Sequence, residues 1–522
     1  MNWKSIHVPA IAHYRQCLID IVIICSVLVF FGPTDNWVWD PSFYYAQMRS
    51  PIIDHDVDVH AEVIPVEATQ RRTVTGLVPS VWPMGVSIAW SPFFLMAHVL
   101  TLATQGQQAA NGLTPLYIAF VSAGSALYGL LGVFVIYRIC CLFASRGLSL
   151  LAATLVLFAT PLFYYVYRQP LMGHSTGILA TSLLLYVVIQ IQRERIPLRY
   201  SGLVTGAFVG LNAATRWIGA TTVILPATLF LIYFGTALYG RDWPRVRGII
   251  IQCSIAAVAV FIMLLPQMAL WHHLYNRWLS PPVPSQMFNT HTTFFPPYLL
   301  NLFVHTNRGV LYWAPFVIFG VVGTFRIRPI SLRITMLAYL AGYCYVLGSF
   351  ITWHGGGGFG ARYFTEASPV LAIGFVSLFR EVWSRQWGKG ALYLLGSLLI
   401  AHQLLLITIV EQGWLPLQLY FSGEPLGWSY QVAGLQRILH QPSDLLLPRP
   451  GISLSHQSVL TNMWHGVREW NAYFIPLVAC LIILIGMLLY RKLARLRFLP
   501  ALAMLMVAYM AAWFCFLLVG MY

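Results

Sequence analysis

The sequence predicts an all-α polytopic membrane protein, and three observations carry that reading. Of 522 residues, 58% are hydrophobic and only 9% are charged, where a soluble domain has about 25% charged residues. The mean hydropathy is +0.70. Apolar runs also recur along the chain at lengths near the roughly 20 residues a helix needs to cross a bilayer. Aromatic residues make up 15%, which suits two membrane interfaces lined with Trp and Tyr.

The first run, 16–32, follows Lys4 and Arg15 and lacks a small-residue cleavage site, so it reads as a retained span. Further spans are expected near 114–143, 148–166, 175–192, 201–215, 218–236, 249–270, 310–325, 333–351, 368–383, 390–410, 473–490 and 499–519. That makes about thirteen transmembrane helices by the length criterion. The stretch Trp82 to Thr104 is apolar but interrupted by Pro83 and Pro92, and is expected to lie in the interface or to re-enter. The eight cysteines are scattered through apolar segments without a C-x-x-C pair, which argues against a disulfide framework or a zinc site.

The formal net charge is +15. On a soluble protein this would suggest nucleic acid; here it reads as positive loops on the cytoplasmic side. With the N-terminus inside, Arg138, Arg146, Arg193, Arg195, Arg199, Arg241, Arg245, Arg247, Arg326, Arg328, Arg333, Arg380, Arg385, Lys389, Arg491, Lys492, Arg495 and Arg497 all fall in short cytoplasmic connections. The long aromatic loops then lie outside, at 32–113, 271–309, 352–367 and 411–472, and function is expected where they converge.

The first outer loop gathers acids that are scarce elsewhere: Asp40, Asp54, Asp56, Asp58, Glu62 and Glu67, in a chain with 16 Asp and Glu altogether. Acids beside a span are costly near hydrocarbon and mark a working site or an aqueous loop. On a helix, Asp40 and Tyr44 share a face. A carboxylate at that end of the span can deprotonate an acceptor hydroxyl. Asp40-Pro41 equally fits an N-cap followed by Pro at the first helical position. Asp54, Asp56 and Asp58 alternate and would share one face of a strand. They suit a divalent cation, a sugar, or simply solvent.

Two further features concern anions. Arg216 is an isolated charge between two apolar segments, costly unless it snorkels or meets an anion. Its planar fork suits phosphate, and it is the first choice for that role. The run Trp353-His354-Gly355-Gly356-Gly357-Gly358-Phe359-Gly360-Ala361-Arg362-Tyr363 permits close backbone approach and an anion nest, or a hinge. No Gly-Lys-Ser/Thr follows, so it is not a nucleotide P-loop.

Several ordered motifs resemble the GT-C glycosyltransferases, the superfamily of protein O-mannosyltransferases and lipid A aminoarabinose transferases. Asp40, Tyr44 and Arg49 after the first span resemble its D-x-x-x-Y-x-x-x-x-R pattern. Arg49 to Glu62 resembles the R-S-x-x-x-D-x-D-x-D-x-x-N-E run of a bacterial branch, but His60-Ala61 departs from it, and Pro41 replaces the acidic partner of a D-E pair. Pro79 to Phe94 resembles the branch's interfacial segment. Arg308-Gly309 opening a span and the Trp353 to Tyr363 run resemble two later motifs. The resemblance covers most of 30–370.

It implies a GT-C bundle that transfers a sugar from a polyprenyl-phosphate carrier to a glycan, lipid or protein acceptor. The reaction would occur at the outer face of the cytoplasmic membrane, with inversion, and without a nucleotide sugar or nucleic acid. It assigns catalysis to Asp40. Substrate binding is expected from Tyr44, Arg49, Asp54, Asp56, Glu62, His174, Arg216, Arg308, His354, Arg362, Tyr363 and Glu366, with membrane lipids alongside. No cofactor is implied; a divalent cation at Asp54, Asp56 and Asp58 stays open. The catalytic module is expected over 1–385, with further helices and outer loop 411–472 in 386–522. The rival readings are a lipid-linked saccharide transporter, which needs polar groups at mid-membrane depth, and an inactive GT-C-like assembly protein.

Overall fold

The computed structural model describes residues 40–61, 72–80, 82–280, 295, 298–305, 308–350, 352–356, 358–411, 429–440 and 498–519. The expected spans 16–32 and 473–490, Glu62, and most of loop 411–472 lie outside them.

The described helices are α1 (Asp40–Arg49), α2 (Gly85–Gln105), α3 (Pro115–Cys140), α4 (Arg146–Phe158), α5 (His174–Gln192), α6 (Leu198–Thr215), α7 (Ile224–Tyr239), α8 (Trp243–Tyr275), α9 (Leu299–Val304), α10 (Val310–Trp313), α11 (Phe316–Thr324), α12 (Ile330–Ser349), α13 (Ser368–Trp383), α14 (Gln386–Glu411), α15 (Ser429–His440) and α16 (Phe498–Val519). Among the described residues, eight helical segments are long and apolar enough to cross a membrane. By that length and composition the chain is an integral membrane protein.

Small residues set the spacing of the bundle. Gly202, Gly206 and Gly210, spaced four residues apart, form a stripe on α6. A Cβ there would sit 2.2 Å from Gln252 O, 2.4 Å from Ala256 O and 2.5 Å from Met263 Cβ of α8. The two backbones therefore pack at the close range that small-residue helix faces allow. Helix α8 starts where the Asp242 side chain accepts from Arg245 N, and stops at Asn276 in the left-handed region.

Three expectations need correcting. The 82–104 segment is not broken by proline: α2 runs unbroken for 21 residues with Pro92 inside it. Pro92 has no N–H for Ile88 O, and the Ser91 hydroxyl donates to that carbonyl instead at 2.7 Å. The 310–325 segment, by contrast, is not one span. Pro315 divides it into α10, with 4 residues, and α11, with 9. Ala314, before the proline, leaves the helical region at φ −150°. The 148–166 segment likewise ends its α-helix at Phe158, and a wide π-type turn follows at Tyr164–Arg168.

Helix α2 is long and apolar enough to cross a membrane, and the segment that carries it is tied to α1 at both ends. Trp82 O accepts from Gln47 Nε2 at 2.8 Å as the chain enters. Asn111 O accepts from Arg49 Nε at 2.7 Å, and Gly112 O from Tyr45 Oη at 2.5 Å, as it returns. The segment thus begins and ends beside the same end of α1. Its face with Leu95, Met96 and Val99 is apolar and exposed.

Candidate active site

Five pieces of chain meet beside the start of α1. Asp40 and Tyr44 come from α1 itself, one turn apart. His174 opens α5. Arg216 occupies the turn after α6, and Arg308 precedes α10. His354, Arg362, Tyr363 and Glu366 come from the glycine-rich segment between α12 and α13.

Arg216 is the single extended residue between two helical stretches, at φ −154°, ψ 141°. Asn212 fixes this turn: its carbonyl oxygen accepts from Arg216 N at 3.2 Å, and its side chain accepts from Thr181 on α5 at 2.7 Å. Arg216 is 6% exposed and its guanidinium is ion-paired with Glu366, itself 2% exposed. His174 Nδ1 lies 2.6 Å from Arg216 Nη1 and 3.1 Å from Glu366 Oε1. Arginine can only donate, so the closer contact makes Nδ1 the acceptor and places the imidazole proton on Nε2. Gly177 leaves room for the acid, since a Cβ there would be 3.1 Å from Glu366 Cγ. Burial opposes ionisation of Glu366, but the Arg216 guanidinium outweighs it and holds its carboxyl below the usual range.

A second pair lies alongside. Arg362 Nη1 donates to Asp40 Oδ2 at 2.9 Å. The Arg362 side chain is 9% exposed and that of Asp40 18%. The carboxylate that by sequence could equally have capped α1 is thus turned to Arg362. Tyr363 connects the pairs: the Arg216 and Arg362 guanidinium carbons lie 5.4 Å and 5.5 Å from its ring centre, within cation–π range. Tyr44 completes the cluster. It stacks on Trp82 at 5.9 Å, and its hydroxyl would be 3.0 Å from a Cβ on Gly173. Burial pushes that hydroxyl up, so Tyr44 is neutral.

The glycines hold Arg362 in place. A Cβ on Gly358 would be 2.7 Å from its Cδ and Nε, and one on Gly355 3.1 Å from Nε. Arg308 Nη2 donates to Gly356 O at 3.2 Å, and Gly356 N donates to His354 Nδ1 at 3.2 Å. Burial, then Arg308 and Arg362, lowers the His354 pKa, consistent with a neutral ring accepting that bond. Among the described residues, the buried Arg362 Nε finds no hydrogen-bond partner. A cavity of about 10 Å³ lies between Arg308, His354, Arg362 and Tyr363, room for about one water. Three arginines face two carboxylates here, leaving one positive charge in excess with both imidazoles neutral.

Other expected site residues lie elsewhere. Arg49 is ion-paired with Asp54 at the far end of α1. The acidic triplet forms no strand. Asp56 accepts from Asp58 N at 3.1 Å, while Asp58 accepts from His60 N at 3.1 Å and Val78 N at 2.9 Å. Burial, then the neighbouring acids Asp54 and Asp58, raises the Asp56 pKa. Among the described residues, no three His, Cys, Asp or Glu side chains form a metal-binding group. Tyr343, which the sequence reading missed, contacts Glu366 Oε2 at 3.5 Å and donates to Tyr363 O. Its signal was a Tyr pair, Tyr339 and Tyr343, four residues apart within a span rather than at its ends.

No protein-family model and no curated protein matches the chain. It is similar to two solved structures of ArnT from Cupriavidus metallidurans. With the one bound to undecaprenyl phosphate it shares 15% identity, over 97% of this chain and 77% of that one, at a TM-score of 0.44. With the apo state the values are 13%, 98%, 77% and 0.43.

Proposed function

We propose that this chain is a GT-C-type membrane glycosyltransferase. It takes a sugar from a polyprenyl-phosphate carrier and passes it to an acceptor hydroxyl at the outer face of the cytoplasmic membrane. The observation that carries the reading is the Asp40–Arg362 pair: a partly open carboxylate held by a buried arginine in a glycine-lined turn. It joins the two motifs of the family resemblance that lie farthest apart in sequence.

In this reading Asp40 accepts the proton of the acceptor hydroxyl as its oxygen attacks the anomeric carbon. The bond from that carbon to the phosphate oxygen breaks, and its electron pair stays on the phosphate. Positive charge placed where the negative charge grows lowers the barrier. Arg362 and Arg308 are assigned that role. Arg216, first choice from sequence, is committed to Glu366 and His174, so it acts as a positioning residue. Glu366 is committed to that pair as well, so among the described residues of the cluster Asp40 is the available carboxylate, which favours a single displacement with inversion. The exposed apolar face of α2 offers the prenyl chain a surface.

The test uses the purified protein in lipid nanodiscs with a radiolabelled polyprenyl-phosphate sugar and a membrane extract as acceptor source. Expected are labelled acceptor and free polyprenyl phosphate in equal amounts. Direct use of a nucleotide sugar, without lipid carrier, would overturn the reading.

A further inference from the structure

The Asp40–Arg362 pair poses a conflict that follows from the proposed function and rests on it. The same guanidinium is asked to hold the base and the donor phosphate. Arg362 Nη1 is occupied by Asp40, while its buried Nε faces the glycine turn without a partner among the described residues. The adjoining cavity holds about one water, far less than a phosphate. Gly355 and Gly358 pack against the guanidinium closely enough to leave it little choice of position. The alternative cation, Arg216, is tied to Glu366 and His174.

We propose that Asp40 and the donor phosphate compete for Arg362, so that the empty site keeps its base engaged and donor binding releases it. An arginine bound to a carboxylate is an arginine bound to a phosphate mimic, because both anions offer the same paired oxygens to the fork. When phosphate takes the fork, the Asp40 carboxylate is no longer held by Arg362 and is free to meet the acceptor hydroxyl. The base is then free only while a donor is present, which orders the reaction.

The consequence is unusual for a catalytic residue: removing it should tighten the ligand. Binding of a polyprenyl monophosphate is measured in nanodiscs for the wild type, Asp40→Asn, Arg362→Gln and the double variant, with uncharged polyprenol as control. Asp40→Asn is expected to bind the phosphate about tenfold more tightly, equal to about 1.4 kcal/mol. That gain should vanish in the Arg362→Gln background. A gain of equal size in that background would mean general charge repulsion and overturn the exchange. So would binding by Asp40→Asn no tighter than wild type, with the donor class left standing. A wild type that binds the phosphate no better than polyprenol would bring down the donor class and the exchange together. One measurement needs no variant: polyprenyl monophosphate should increase carbodiimide labelling of Asp40, and unchanged or reduced labelling would also overturn the exchange.

Discussion

Arg216 and Glu366, 150 residues apart in sequence, close an ion pair within the protein interior. Each is more than nine-tenths buried. Breaking such a pair by removing one partner costs about 3–5 kcal/mol, because the other charge stays buried and uncompensated. Glu366→Gln should therefore lower thermal stability sharply in detergent. Replacing both partners with methionine should recover much of the loss. The Glu366 pKa lies below its ordinary 4.5 in the folded chain. Its contribution is thus fully present above pH 4.5 and is lost as pH falls through the lower folded value. A Glu366→Gln protein whose melting temperature matches the wild type at neutral pH would refute this account.

The glycine turn gives a more local test. A Cβ at Gly358 would be 2.7 Å from Arg362 Cδ and Nε and 2.8 Å from Cζ, so Gly358→Ala must displace the guanidinium or the turn. Overpacking of this kind costs about 1–3 kcal/mol, and here it falls on the group that faces both Asp40 and the cavity. Donor use should drop about tenfold or more, while the helices stay folded. Gly390→Ala, with nothing within 4 Å of the added carbon, serves as the matched control. Equal donor kinetics in the two variants would separate the turn from the site.

Asp40 and Arg362 were both legible in the sequence, because each stands in a short motif. Their pairing was not, since it joins positions 322 residues apart. Arg216 shows the limit more sharply. An isolated arginine between apolar segments calls for an anion, and sequence spacing cannot tell whether that anion is a ligand or a distant Glu366. Hydropathy located most helices but could not weigh prolines. Pro92 stays inside a helix because Ser91 satisfies the freed carbonyl, whereas Pro315 splits one. The acidic triplet looked like a ligand set only while a strand was assumed; in the fold its acceptors are taken largely by backbone N–H groups and Arg49.

That arrangement bears on metal dependence. Asp58 receives Val78 N and His60 N, tying the two sides of the loop together. Asp58→Ala should cost about 0.5–1.5 kcal/mol, the net worth of a solvent-accessible hydrogen bond, and should loosen the loop to limited proteolysis. Sugar transfer by the wild type is expected to continue in a chelator. Activity lost in chelator and restored by one divalent cation would return the triplet to the role of a metal site.

Asp40 remains the residue on which the catalytic reading turns. Its carboxylate has solvent access, unlike Glu366, and Tyr44 lies one helical turn away on the same face. Asp40→Asn keeps the size and much of the hydrogen bonding but cannot take a proton. Loss of a general base typically slows a reaction about 10²–10⁴-fold, so transfer from a saturating donor should fall by that factor. An N-cap role would cost only about 1 kcal/mol of stability and leave turnover nearly intact. Melting temperature and single-turnover sugar transfer, measured on the same preparation, tell these apart. A folded Asp40→Asn protein that transfers sugar at close to the wild-type rate would remove Asp40 from the chemistry, and with Glu366 already committed to Arg216, the base would have to come from the acidic triplet, which Asp54→Asn and Asp56→Asn would test.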